Sequence, residues 1–146
     1  MTVTRPAMPV PIALGLHGGC GTLHPALMTE AEWAESRTHL ADALKAGWSV
    51  LATGGRALDA VQATVVVLED SPHFNAGYGA ALTEDSRHEL DASIMDGETL
   101  AAGAVAAVTR VRNPVLAARA VLEGGKAVML TGPAADAWAA AAGLPM

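Results

Sequence analysis

The sequence predicts an α+β fold: helices covering a sheet that includes an antiparallel hairpin. Two segments, 29–54 and 56–70, repeat apolar residues at helical spacing, and they stop at a glycine pair and at Ser71-Pro72. Two shorter runs, "HELDASIMDG" and "ETLAAGAVAAV", read as strands joined around Asp96-Gly97, a favoured hairpin turn pair. A hairpin argues against a purely parallel, doubly wound sheet and leaves a layered α+β arrangement.

In chain order, residues 1–10 read as a flexible lead-in and 11–146 as a single domain. "PIALGL" (11–16) is a short apolar run stopped by His17-Gly18-Gly19, the pattern of a buried strand entering a glycine turn. Thr29 stands three residues before Glu32, a capping-box spacing, and Leu40, Leu44, Trp48 and Leu51 then recur on one helical face. In the second helix Leu58, Val61, Val65 and Leu68 face one way, and Val66 and Val67 widen that stripe until the helix reads as almost wholly buried. Ser71-Pro72 ends it, because the residue before proline is pushed out of the helical region. After the hairpin, Asn113 and Pro114 mark a third helix by N-cap and first-turn preference, closing at Gly124-Gly125. "AVML" gives one more strand, and Thr131-Gly132-Pro133 opens a last alanine-rich helix. The order expected is therefore β-α-α-β-β-α-β-α.

Composition narrows the function. The chain has 146 residues, 51% hydrophobic, with only five aromatics among them, so alanine, valine and leucine must fill the core. Small side chains let helices approach a sheet closely but bury little area each, which predicts a further partner surface. The net charge is −6 and the nine basic residues are scattered, so no nucleic-acid or anionic-membrane surface is expected. The proline-broken N-terminal apolar run is too short to span a bilayer and lacks a clear signal-peptide pattern. Cys20 is the only cysteine, which excludes an internal disulfide framework; a reducing, cytoplasmic setting is the expectation.

Several motifs invite chemistry. The turn "LHGGCG" is not G-x-G-x-x-G, has no Lys-Ser/Thr partner and is not followed at once by a helix, so a tight turn outweighs a phosphate site. A backbone loop brought close to a ligand is a third reading of it. The five histidines show no metal-ligand spacing, which argues against zinc. "SPHFNAGYG" (71–79) is more specific. The last carbonyls of the preceding helix lack intrahelical partners and form the negative end of its dipole. A chain that doubles back there can bring further carbonyls into an all-oxygen cage suited to a hard monovalent cation. An ordinary helix cap and loop is the alternative. Asn75, between tight turns, can donate and accept at once, which suits holding a hydroxyl or a water; it also suits a plain turn.

Taken together, "HGGCG" (17–21), "ALDAVQATVVVLEDSPHFNAGYGAALTEDSRHELDASIMDG" (57–97) and "AGAVAAVTRVRNPVLAARAVLE" (102–123) resemble the plant-type asparaginase/isoaspartyl peptidase family of N-terminal-nucleophile hydrolases. The resemblance runs from Pro11 to Gly143. It implies part of a four-layer αββα sandwich, and a precursor that cuts itself to free a threonine at the start of a β subunit. That threonine hydrolyses asparagine or β-aspartyl dipeptides. This chain would be the α subunit, the nucleophile lying outside it, in an (αβ)2 assembly. The resemblance implies that Asn75 supports the nucleophile. It also implies that Leu68, Glu69, Ser71, Phe74, Ala76 and Tyr78 hold a structural sodium ion through main-chain carbonyls, and that His17, Gly18 and Gly19 line the space behind the threonine. Cys20 stands where the family usually has alanine and reads as packing, open to oxidation; Tyr78 stands where a smaller residue can occur. No organic cofactor is implied. The alternatives are a glycosylasparaginase-like amidohydrolase and a stand-alone α-like binding or scaffold module.

Overall fold

In the computed structural model, which describes residues 11–18 and 28–146, helix α1 spans Glu30–Ala52 and α2 spans Ala57–Glu69. Thr29 and Glu32 form the expected reciprocal capping box: the Glu32 N–H donates to Thr29 Oγ1 at 3.2 Å, and the Thr29 N–H donates to Glu32 Oε2 at 2.7 Å. The two helices lie against each other along small residues. Ser36, Ala43 and Gly47 are the buried positions of α1, and a β-carbon at Gly47 would sit 2.0 Å from Thr64 Oγ1 on α2. The larger Leu44 and Trp48, which mark the apolar stripe in the sequence, are exposed instead. Close approach of backbones, not apolar bulk, selects the buried face.

Strand β1 (Leu90–Met95) pairs antiparallel with β2 (Ala102–Val108), and β2 pairs parallel with β3 (Met129–Thr131) in the order β1-β2-β3. Helix α3 (Pro114–Gly124) makes the β2-to-β3 crossover, and α4 (Gly132–Ala141) follows β3. The mixed α+β class is thus as expected. The strand predicted at 11–16 is not one: this run pairs with no described strand. Without a neighbouring ladder among the described residues it stays irregular, and Leu16 packs against the small cluster of Ala43, Leu68 and Phe74 instead. The observed order over the described residues is α-α-β-β-α-β-α. The hairpin turn is also longer than a two-residue Asp-Gly turn. Asp96 Oδ1 accepts from the N–H groups of Glu98 and Thr99, and Leu100, not Gly97, takes the left-handed conformation at φ 60°.

The main core lies between the sheet and helices α3 and α4, and α2 contributes Leu58 to it. It contains Ile94, Val105, Val108, Val111, Val115 and Val121, with Ala117, Ala118, Ala135 and Ala139 filling the close contacts. Asp136 on α4 ties the end of β2 to this core. Its carboxylate accepts from the N–H groups of Thr109, Arg110 and Val111 at 3.1–3.2 Å and from the Thr109 hydroxyl. Burial pushes the Asp136 carboxyl up, and these four donors outweigh it and hold the group below the ordinary carboxylate range. On the other side of the sheet Asp91, Ser93 and Met95 of β1 stand exposed, so that face carries no layer among the described residues. No described helix is long and apolar enough to cross a membrane.

The tightest approach is at Gly103, where a β-carbon would lie 2.2 Å from the Ala118 carbonyl oxygen and 2.5 Å from the Leu122 nitrogen, both backbone atoms of α3. Replacing a strand glycine by alanine gains roughly 0.5–1 kcal/mol in backbone entropy, whereas overpacking costs about 1–3 kcal/mol. Backbone cannot step aside, so the steric cost wins. Gly103→Ala is expected to lower the denaturant midpoint of unfolding, and a midpoint unchanged or raised would contradict this packing.

Candidate functional site

The site is built where α2 stops. Ser71-Pro72 breaks the helix, the Ser71 N–H donates back to the Leu68 carbonyl at 3.2 Å, and the chain reverses. Phe74 anchors the reversal: it is buried against Ala43 and Leu68. Its neighbours close the loop, the Ala76 N–H donating to the Phe74 carbonyl at 2.8 Å and the Gly79 N–H to the Ala76 carbonyl at 3.1 Å. Gly77–Gly79 forms a single 3-10 turn.

Two glycines permit this path. Gly77 has φ +47°, and a β-carbon there would lie 2.3 Å from the Glu69 carbonyl oxygen. At Gly79 one would lie 2.4 Å from the Phe74 carbonyl oxygen and 2.8 Å from that of Pro72. Helix-end and loop carbonyls therefore converge on the Gly77–Gly79 turn. Among the described residues no backbone N–H donates to the carbonyls of Glu69, Ser71 or Tyr78. An oxygen-only donor set with unused lone pairs, closed around glycines, fits a small hard cation. The expected ligands Leu68, Glu69, Ser71, Phe74, Ala76 and Tyr78 all lie on this one reversal.

Asn75 is exposed, and its Oδ1 accepts from the Ala81 N–H at 2.8 Å. That bond fixes the amide orientation, since an N–H donor requires the oxygen, and it leaves the NH2 group as a donor without a partner among the described residues. Asn75 borders a cavity of about 210 Å³ shared with Glu89, Asp91 and Pro114. Asp91 in turn accepts from the Ala107 N–H at 2.8 Å, beside the irregularity in the β1–β2 ladder between Leu90 and Ala92. Of the glycine turn, Gly18 is brought onto the loop: a β-carbon there would come within 3.1 Å of the Phe74 ring. His17 is exposed beside it; Gly19 and Cys20 lie outside the described residues, as does the lead-in 1–10.

The sequence gives no hint of what fixes the loop to the rest of the domain. Glu69, nearly fully buried, reaches across to the start of α3, where its Oε1 accepts from the Val115 N–H at 2.9 Å. Asp70 Oδ1 accepts from Arg112 Nε at 3.2 Å and from Asn113 Nδ2 at 3.1 Å. Asn113 holds the N-cap position but makes no capping bond with its own side chain, so the cap comes from α2 instead. Burial pushes the Glu69 carboxyl up to about 7, against the hydrogen bond from Val115 and the nearby Asn113 amide, with the neighbouring Asp70 charge adding to the rise. Its Oε2 is buried without a partner among the described residues. Along the same cleft, of about 700 Å³, stand Tyr78, His88 and Arg112.

The sequence profile of the asparaginase family matches residues 10–146, nearly the whole chain. The chain belongs to that family. It is 45% identical over 131 residues to an isoaspartyl peptidase of Escherichia coli strain K12, covering 90% of this chain and 41% of that protein. To a plant-type L-asparaginase of Pyrococcus abyssi it is 43% identical over 134 residues, 92% of this chain and 42% of the relative. An isoaspartyl peptidase/L-asparaginase of Rattus norvegicus is 49% identical over 106 residues, 73% of this chain and 32% of that protein. The chain thus spans about two fifths or less of the length of these relatives.

A carboxyl raised from the ordinary 4.5 to about 7 binds more protons folded than unfolded between those values. Stability from this group is therefore full below about pH 4.5 and falls as pH rises through 7, by on the order of 3 kcal/mol. Glu69→Gln keeps an acceptor for Val115 and removes the proton. The variant should show a flatter stability profile between pH 5 and 8 (roughly the titration window) in tetraalkylammonium buffers, which keep small cations off the neighbouring carbonyls. A wild-type slope in the variant would contradict a buried, proton-binding Glu69.

Proposed function

We propose that this chain is the α subunit of a self-processing isoaspartyl peptidase/L-asparaginase, and that its task is to aim Asn75 at a threonine nucleophile carried by a β chain from the same precursor. The observation that carries this reading is the state of Asn75: its oxygen is tethered to Ala81 and its NH2 group has no partner among the described residues, on a loop anchored by Phe74 and by the Glu69 contact to α3. A free carboxamide donor in that setting can hold a hydroxyl or a water without competing for its proton.

The reaction then runs as follows. The threonine hydroxyl attacks the side-chain amide carbonyl of asparagine, or the isopeptide carbonyl of a β-aspartyl dipeptide, while the threonine's own α-amine takes the hydroxyl proton. The C–N bond breaks as that proton passes to the leaving ammonia or amino acid, leaving an aspartyl ester on the threonine. Water hydrolyses the ester and frees aspartate. Asn75 acts as a positioning residue, holding the threonine hydroxyl or the water by its NH2 group. The glycine turn at His17, Gly18 and Gly19 lines the space behind the threonine, where the lack of side chains allows close approach.

The carbonyls of Leu68, Glu69, Ser71, Phe74, Ala76 and Tyr78 would hold a sodium ion, which supplies a fixed positive charge that stiffens the reversal. The exposed sheet face bearing Asp91, Ser93 and Met95 supports a second sheet stacked there, as a four-layer αββα sandwich requires, with two αβ pairs forming the assembly. A cytoplasmic site of action belongs to the same reading.

Asn75→Ala in the complete protein is expected to lower turnover of a β-aspartyl dipeptide roughly 10–1000-fold, the range for losing a positioning hydrogen bond. The loss should fall mainly on kcat rather than KM. Wild-type kcat in a variant that remains folded and processed would remove Asn75 from this role.

A further inference from the structure

The histidines, scattered in sequence, are not scattered in space. Glu35 and His39 stand four residues apart on α1 and so share one face of that helix. His73, between the helix-breaking Pro72 and the anchor Phe74, is carried by the reversal onto the same face. His73 Nε2 lies 3.6 Å from Glu35 Oε1, and the His39 and His73 rings are 4.7 Å apart between centroids, inclined at 42°. One ligand atom from each of the three residues falls within 4.8 Å of the others.

We propose that Glu35, His39 and His73 form a binding site for a divalent transition-metal ion, zinc foremost, that staples α1 to the loop carrying Asn75. Bond lengths of about 2.0–2.1 Å in a tetrahedral site put neighbouring donor atoms about 3.4 Å apart. The Glu35–His73 separation already meets that spacing, and the third ligand needs only a small side-chain adjustment. Two imidazoles and a carboxylate select zinc, nickel, cobalt or copper over calcium or magnesium, which take oxygen ligands. Glu35 is exposed and both histidines are half-buried, so the site is open to solvent for entry of the ion and for a water in the fourth position. The carboxylate leaves the three-ligand set with one negative charge for a doubly positive ion.

This differs in donor chemistry from the all-carbonyl reversal next to it. The two sets share the loop but no ligand atom, and a divalent ion here would restrain residues 71–79 through His73.

The test is calorimetric titration of the complete, tag-free protein with zinc chloride in sodium buffer, with a parallel thermal-unfolding series. One zinc per copy of this chain is expected, with a rise in melting temperature as zinc is added. Glu35→Gln, His39→Gln and His73→Gln should each weaken zinc binding at least about tenfold, since even loss of a group supporting a ligand costs that much. Circular dichroism of the metal-free variants reports whether each has kept its fold. Glu35→Gln, at an exposed position, serves if either histidine variant fails to fold. Excess calcium should not displace the zinc. No zinc bound at tens of micromolar would overturn the proposal, as would unchanged affinity in the folded variants or free exchange with calcium.

Discussion

The described structure turns on one contact: the Glu69 carboxyl against the first turn of α3. Helix α2 pairs with α1 and meets the sheet core through Leu58 and α3 through the Asp59–Arg119 ion pair, and Glu69 adds a link where the end of α2 and the start of α3 both have unsatisfied groups. The start of α3 has orphan N–H groups and a positive dipole end; a carboxylate there satisfies both needs. Asp70 doubles the link through Arg112 and Asn113. Because the next residues form the reversal, the same contact fixes the starting point of the loop that bears Asn75. At Glu69 Oε2, a buried oxygen without a partner among the described residues is the cost of reaching so far inside.

Small residues decide how closely the rest can assemble around that link. Gly47 lets α1 meet α2, Gly103 lets α3 lie on β2, and Gly77 lets the reversal fold back on the helix end. The long aliphatic and aromatic side chains divide accordingly: Leu58, Leu68, Phe74 and Ile94 are buried, while others lie at the surface. Trp48 and Leu44 remain outside, as do Val61 on α2 and Met129 on β3. These side chains, with Met95 on the uncovered face of β1, give the chain exposed apolar positions among the described residues.

Much of this was legible in the sequence, and the reasons differ element by element. The capping box at Thr29, the break at Ser71-Pro72 and the Pro114 start of α3 are local devices, so local reading found them. The strand expected at 11–16 did not form, because an apolar run becomes a strand only beside a partner ladder, and that information is not local. The two-residue turn at Asp96-Gly97 gave way to a longer loop because the Asp96 side chain captures the N–H groups of Glu98 and Thr99. At the site, the reversal was readable from the Ser71-Pro72 break and the tight "FNAGYG" spacing, while the role proposed for Asn75 comes from family resemblance. The Glu69 contact was not, being a bond across 46 residues from a position that reads as the polar end of a helix. The histidine grouping escaped for a similar reason: Glu35 and His39 show a four-residue spacing, but the third member comes from a different element.

The central claim is that this chain supports a nucleophile it does not itself carry. Intact mass measurement with N-terminal sequencing of the complete protein tests it most directly. The account predicts two polypeptides, this one and a second whose first residue is threonine, appearing together with hydrolysis of β-aspartyl dipeptides. A single uncut polypeptide that hydrolyses the same substrates at full rate would contradict it.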